Sequence, residues 1–217
     1  MADESLIDKV YHPYVQPMER EIEIRTTVES GSEQSQGDLN LLRTGYGQSF
    51  GERWFGELYV VSEYGNGSGF DVRSFEGEAL WQLTEQGQYF ADWGLLFEAE
   101  KKRTTDSGEL SAAVLVEKEW GRWSGTANLY GLYEFGDRVH NEFETALSLQ
   151  TRYRYSMEFE PAVEAYVGQT THGIGPVVLG SHGFGASRRI HWEAGLIFGV
   201  DEDTPDTTLR AALEYEF

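Results

Sequence analysis

The sequence predicts an all-β fold: a transmembrane antiparallel β-barrel of about twelve strands in meander order. Three observations carry that expectation. Polar and apolar residues alternate with period two from about residue 18 to the last residue. The alternating segments run roughly 10–15 residues each, where strands of soluble domains average about 5–6. Helical periodicity is scarcely present. The expected strands are 19–30, 38–48, 53–65, 70–84, 88–102, 108–120, 122–136, 141–155, 157–169, 174–185, 188–201 and 206–217.

Each element follows from its own pattern. Glu21-Ile22-Glu23-Ile24-Arg25-Thr26-Thr27-Val28 alternates strictly. Residues 38–48 alternate poorly, so a bulge or register change is expected there. Trp93, Leu95, Phe97 and Ala99 share one face, opposed by Asp92, Gly94, Leu96, Glu98 and Glu100. Leu110, Ala112, Val114 and Val116 oppose Glu109, Ser111, Ala113, Leu115 and Glu117. Trp123 to Tyr133 opposes Ser124 to Glu134, and Phe143 to Tyr155 opposes Glu142 to Arg154. Pro161 is expected to remove one ladder hydrogen bond from its strand. Residues 172–186, with Pro176 and several Gly, are irregular. Ile190, Trp192, Ala194, Leu196, Phe198 and Val200 then resume the alternation.

The connections supply further expectations. Gly121-Arg122, the Ser156 junction and Ala186-Ser187 read as tight turns, and Glu85-Gln86-Gly87 as nearly tight. The intervening connections read as longer and polar, the length asymmetry of a transmembrane barrel. Trp54, Trp120, Trp123, Tyr153, Tyr155 and Trp192 cluster near the short-turn end, where an aromatic belt meets the headgroups.

Composition alone points elsewhere. The 217 residues hold 17 basic and 37 acidic side chains, a net charge of −20 and no Cys. Mean hydropathy is −0.48. This charge argues against nucleic acid as a partner, because the surface would repel phosphate. Absence of Cys excludes disulfides, thiolate metal sites and thiol catalysis. No apolar run approaches the ~18 residues of a transmembrane helix. Met1-Ala2-Asp3-Glu4-Ser5 lacks a basic n-region and an apolar h-region, which fits either a cytoplasmic protein or a mature chain with an added start Met. A soluble all-β sandwich or barrel is the alternative, and it has difficulty with so many faces of Trp, Phe and Leu.

The last strand is the most specific motif. Leu209, Ala211, Leu213, Tyr215 and Phe217 form one apolar face and the sequence stops at Phe217. This resembles the C-terminal strand of Gram-negative outer-membrane β-barrels, porin-like proteins of the bacterial outer membrane. The resemblance implies that Leu213, Tyr215 and Phe217 are an assembly signal read by the barrel assembly machinery. It also implies a lipid bilayer with lipopolysaccharide as the surroundings.

If the apolar faces meet lipid, the polar faces line the lumen. That directs about twenty carboxylates inward, among them Glu57, Glu78, Asp92, Glu98, Glu117, Glu144, Glu160 and Glu193. Arg25, Arg152, Arg154 and Arg210 are the chief matching cations, expected to pair across neighbouring strands. The surplus carboxylates would be solvated or hold cations, giving a wet lumen that prefers small cationic or polar solutes. Twelve strands lie between side-chain-filled barrels and open pores. Residues 1–17 are expected to be a periplasmic lead-in or plug, and 18–217 the barrel.

The expected function is therefore a narrow passive channel, cation-preferring and not an enzyme. A closed structural or partner-binding barrel, filled by Glu–Arg pairs or by another chain, is one rival. A lipid-modifying enzyme is the other. Outer-membrane phospholipase A is also twelve-stranded, but here Ser181 and His182 are adjacent and point to opposite faces, and no His lies two residues from a lipid-facing Ser. No cofactor is expected, with one qualification. A two-residue turn at Ala186-Ser187 would set His182 opposite His191, with Glu193 on the same face, and this trio would suit a divalent metal.

Overall fold

Alternation commits every strand to two faces, and those faces become the inside and outside of a closed barrel. The computed structural model describes residues 6–31, 39–65, 69–103, 105, 107–136, 141–185 and 188–217. Twelve strands follow in order: β1 (Arg20–Ser30), β2 (Leu39–Phe50), β3 (Trp54–Gly65), β4 (Gly69–Gln82), β5 (Asp92–Lys102), β6 (Ser107–Trp120), β7 (Trp123–Gly136), β8 (Glu142–Tyr153), β9 (Glu160–Val167), β10 (His172–Gly183), β11 (Arg189–Gly199) and β12 (Thr207–Glu216). Each pairs antiparallel with the next, and β1 closes on β12 from Glu21↔Glu216 to Ser30↔Thr207. The Phe217 amide donates to the Arg20 carbonyl at 2.8 Å, so both ends of the barrel chain meet at one mouth.

The distribution of side chains is inverted relative to a soluble protein. Leu58 is 72% exposed, and Phe75, Phe97, Leu129 and Leu209 also face outward. Glu117 and Glu164 are 0% exposed and Arg25 is 2% exposed. Charged residues are almost never fully buried in a soluble core unless paired. An apolar outside around a charged inside is the arrangement lipid demands, with every backbone bond closed around the cylinder. The soluble alternative falls on this observation.

Aromatic residues mark both rims. At the mouth carrying the chain ends, Trp54 stacks on Trp81 at 5.0 Å and Tyr215 on Phe217 at 5.7 Å, while Trp123 meets Tyr153 at a tilt, 4.9 Å between centroids. Tyr133 and Phe135 pair at 6.2 Å toward the other rim. From Trp123 to Tyr133 a strand tilted by ~40° climbs about 25 Å, the height of an outer-membrane apolar band.

Several expectations need correction. Connection lengths do not alternate: strand ends at the mouth with the chain ends are separated by 51–53, 83–91, 121–122, 154–159 and 184–188 in sequence, and strand ends at the other rim by 31–38, 66–68, 103–106, 137–141, 168–171 and 200–206. The turn at Gly121-Arg122 is tight, whereas Ser156 lies in a wider connection bridged to Phe159. Ala186-Ser187 lies outside the described residues. Pro161 is the second residue of β9, and β8 pairing begins only at Arg152↔Ala162, so no bond to β8 is lost.

Two weakly patterned segments are regular strands for a steric reason. In β2, Gly45 and Gly47 occupy inward positions. A Cβ at Gly47 would lie 2.6 Å from the Phe55 ring and 2.8 Å from Glu57 Cγ. Side chains of β3 thus lie across β2, which has no alternation of its own to show. In β10, Gly175 lets the Leu196 carbonyl of β11 approach the strand directly.

Candidate functional site: the lumen and its N-terminal segment

The inward faces are not uniformly polar. Leu96, Ala113, Leu115, Tyr130 and Ala146 form one buried apolar cluster, and Ala162, Tyr166, Val177 and Ile197 form another. Both are completed by the N-terminal segment: Tyr11 joins the first, Ile7 and Val10 the second. The segment approaching β1 therefore lies inside the barrel, and burying these side chains drives it there.

Polar contacts fix its path. The Tyr11 amide donates to Asn128 Oδ1 at 2.8 Å, and Asn128 Nδ2 donates to the Tyr11 carbonyl at 2.9 Å. The Val15 amide donates to Gln82 Oε1 at 2.8 Å. Tyr11 and Tyr14 hydroxyls donate to Glu78 (2.8 Å) and Asp92 (2.9 Å). His12 Nδ1 lies 2.6 Å from Glu117, and Lys9 Nζ lies 2.7 Å from Glu23. Pro13 crosses over Gly94, where a Cβ would come within 2.9 Å of it.

Asp8 is the electrostatic centre. Its carboxylate pairs with Arg25 and sits 3.6 Å from Arg43, and its carbonyl accepts from Arg210. Arg25 Nε also meets Glu23 at 2.8 Å, and Arg43 Nε meets Glu76 at 3.3 Å. Arg210 bridges Glu164 and Glu193, each at 2.5 Å. Gln150 and Tyr166 each donate to Glu164 at 2.7 Å. Buried charges survive when paired and hydrogen-bonded in this way.

The sequence-derived lining residues divide accordingly. Glu78, Asp92 and Glu117 bind the segment. Glu193 holds Arg210, Glu160 holds Arg152 at 3.3 Å, Glu57 accepts from Tyr59 at 2.6 Å, and Glu98 accepts from Ser111. Glu144 is half-buried on the inward face of β8. Arg152 and Arg154 reach beyond the neighbouring strand to Glu117 of β6, at 3.5 and 3.7 Å, and Arg154 meets Glu119 at 2.5 Å. Pairing across neighbouring strands is present in Arg152–Glu160 and Arg210–Glu193, and Arg152 and Arg154 add a longer reach to β6. Arg43, Asp8 and Asn128 were not singled out by the sequence. The apolar residues on inward faces, Leu96 and Leu115 above all, were the available signal.

The proposed metal trio does not assemble. Ser181 pairs with His191 and His182 with Ile190, one residue away from the expected register, which turns His182 to the outer face. There it packs on Phe184 at 4.8 Å, while His191 lies inside, 3.3 Å from Glu216.

Two spaces remain beside the segment. The larger, about 430 Å³, opens at the mouth with the chain ends and is walled by Lys9, Tyr14, Glu21, Glu57, Arg154 and Glu214 among others. The smaller, about 80 Å³, lies beyond and touches Asp8, Arg43, Glu76, Glu98 and Glu109. Lys9 and Tyr11 border both. At the larger mouth, burial first and then Glu214 and Glu216 push the Glu19 carboxyl up to about 7. At the far rim, the Thr204 hydroxyl and amide, with His172 at 2.5 Å, hold Asp201 below its ordinary value.

The chain is a membrane-spanning barrel of the outer-membrane class. No protein-family model matches the sequence, and no curated protein does. Solved structures do match in fold. The KdgM porin shares 13% identity at a TM-score of 0.58, over 91% of this chain and 99% of the porin. That porin is also known in complex with disordered oligogalacturonate, and that structure matches equally. The COG4313 outer membrane channel from Pseudomonas putida F1 shares 12% identity at a TM-score of 0.56, over 99% and 98% of the two chains.

Proposed function

We propose that this protein is a channel for small polar solutes whose bore is narrowed by its own N-terminal segment, residues 6–17. The observation that carries this reading is the pair of cavities on either side of a single strip of chain, within a barrel that matches a porin and an outer membrane channel in fold. The carboxylate excess of the lumen favours cations over anions. Residues 6–17 are the plug, residues 1–5 of the expected 1–17 segment lying outside the described residues, and the barrel occupies the expected 18–217, with Leu213, Tyr215 and Phe217 as the signal for the assembly machinery. The medium is a bilayer containing lipopolysaccharide.

Single-channel recording in planar bilayers tests the reading. Small conductance steps with a cation-selective reversal potential under a KCl gradient are expected. Anion selectivity would remove the charge argument. The packed segment itself favours a second reading, a permanently closed structural barrel. That reading gains if neither the native chain nor variants that loosen the segment ever conduct.

A further inference from the structure

The mouth carrying the chain ends concentrates carboxylates that the segment engages only weakly, the Gln16 amide donating to Glu19 at 3.3 Å. Glu19 precedes β1, Glu21 lies in β1, and Glu214 lies in β12; one oxygen from each falls within 4.8 Å of the others. Glu21, Glu23 and Glu57 form a second such group. Glu23 is already taken by Lys9, Arg25 and the Tyr59 hydroxyl. Glu21 is not. It is 4% exposed, and among the described residues no cation lies within ion-pair distance of it. Its carboxyl and that of Glu57 bring oxygens within 4.8 Å of each other, across the bare backbone of Gly47. Two buried carboxyls this close repel unless a proton or a cation lies between them.

A separate observation points the same way. Glu78 is the register partner of Glu57 and is 9% exposed, and its Oε2 is buried with no hydrogen-bond partner among the described residues. It faces the same 430 Å³ cavity as Glu19, Glu21, Glu57 and Glu214. The wall thus presents carboxylate oxygens short of donors, Glu78 Oε2 fully buried among them, along an approach that opens at the mouth. Ca²⁺ takes six to eight oxygens in flexible geometry, with carboxylates and water mixed. Mg²⁺ demands a stricter octahedron.

We propose that Glu19, Glu21 and Glu214, with Glu57 beside them, form a Ca²⁺ site that ties the exit of the N-terminal segment to the β1–β12 seam. The ion replaces whatever proton the carboxyls share. It neutralises the mouth where the barrel closes, and it applies whether or not the barrel conducts.

The test is Ca²⁺ titration of the refolded full chain in detergent at neutral pH, followed by calorimetry and by Tb³⁺ luminescence sensitised through Trp192, which borders the cavity. Saturable binding is expected, weakened at least about tenfold by Glu21→Gln or Glu214→Gln and unchanged by Glu52→Gln on an exposed turn. Thermal midpoints give the second readout. Without Ca²⁺, Glu21→Gln relieves repulsion and raises the midpoint; with Ca²⁺, the native chain is the more stable. Absence of Ca²⁺ binding at millimolar concentration, or equal binding by Glu21→Gln, overturns the site. Midpoints that respond to pH but never to Ca²⁺ assign the contact to a shared proton and overturn it as well.

Discussion

Tyr11 and Asn128 clamp each other through two hydrogen bonds, backbone amide to side-chain oxygen and side-chain nitrogen to backbone carbonyl, across 117 residues of sequence. A side-chain amide thereby does what a neighbouring strand would do. It satisfies an unpaired stretch of backbone inside the barrel.

Asn128→Ala removes both partners at once and leaves a buried N–H and C=O. Each orphaned group costs about 1–3 kcal/mol, so the docked segment should open at least about tenfold more often. Limited digestion with a lysine-specific protease reports this at Lys9, which is half-buried and held on Glu23 in the docked form. Faster cleavage with the barrel's mobility on semi-native gels retained is expected. An unchanged rate would show that apolar burial of Ile7, Val10 and Tyr11 suffices alone.

Asp8→Ala should act on stability more than on access. It leaves Arg43 with Glu76 alone and Arg25 with Glu23 alone, deep inside the barrel. Breaking a buried pair from one side costs roughly 3–5 kcal/mol. The expected result is a clear fall in urea midpoint in detergent. Asp8→Asn, which keeps an acceptor oxygen, should recover part of it.

Gly175→Ala tests the packing of β10 on β11. A Cβ there meets the backbone of Leu196 and Ile197, which flexible side-chain motion cannot relieve. The strand pair has to separate, so the folded yield should drop sharply, whereas Gly183→Ala, with open space around it, should be tolerated. Equal folded yields for both would contradict the register given for this hairpin.

How far the sequence reached depends on what each residue's neighbours could reveal. Ile22, Ile24, Leu209 and Leu213 announce their lipid face because period two is local and repeated. The contents of the lumen were only half legible. Leu96, Ala113 and Leu115 stand on inward faces where a wet channel wants polar groups, and Ile7, Val10 and Tyr11 stand in a segment with weak periodicity. Either set alone is unremarkable as a pattern, and only contact between them gives both a reason. His182 shows the opposite limit. The two strands were placed correctly to within two residues, yet a one-residue difference in register reversed its face and dissolved the metal trio.

Docking of the segment's exit should weaken as pH rises toward neutrality. Glu19 carries its proton up to about 7, chiefly because it is buried and then because Glu214, Glu216 and Glu57 surround it; the Gln16 amide, donating at 3.3 Å, works against them. A carboxyl with a raised value binds its proton more tightly when folded. Its stabilising contribution is complete below about 4.5, the ordinary value, and is lost as pH climbs through about 7. Protease access to the segment, measured in chelator so that divalent cations play no part, should therefore increase between pH 5 and 8. Glu19→Gln should flatten that dependence while leaving the acid-side rate unchanged. His191, which lies 3.3 Å from Glu216, needs its own control. His191→Gln should preserve the Glu19-dependent part. If the dependence vanishes with His191→Gln and survives Glu19→Gln, the imidazole is the responsible group.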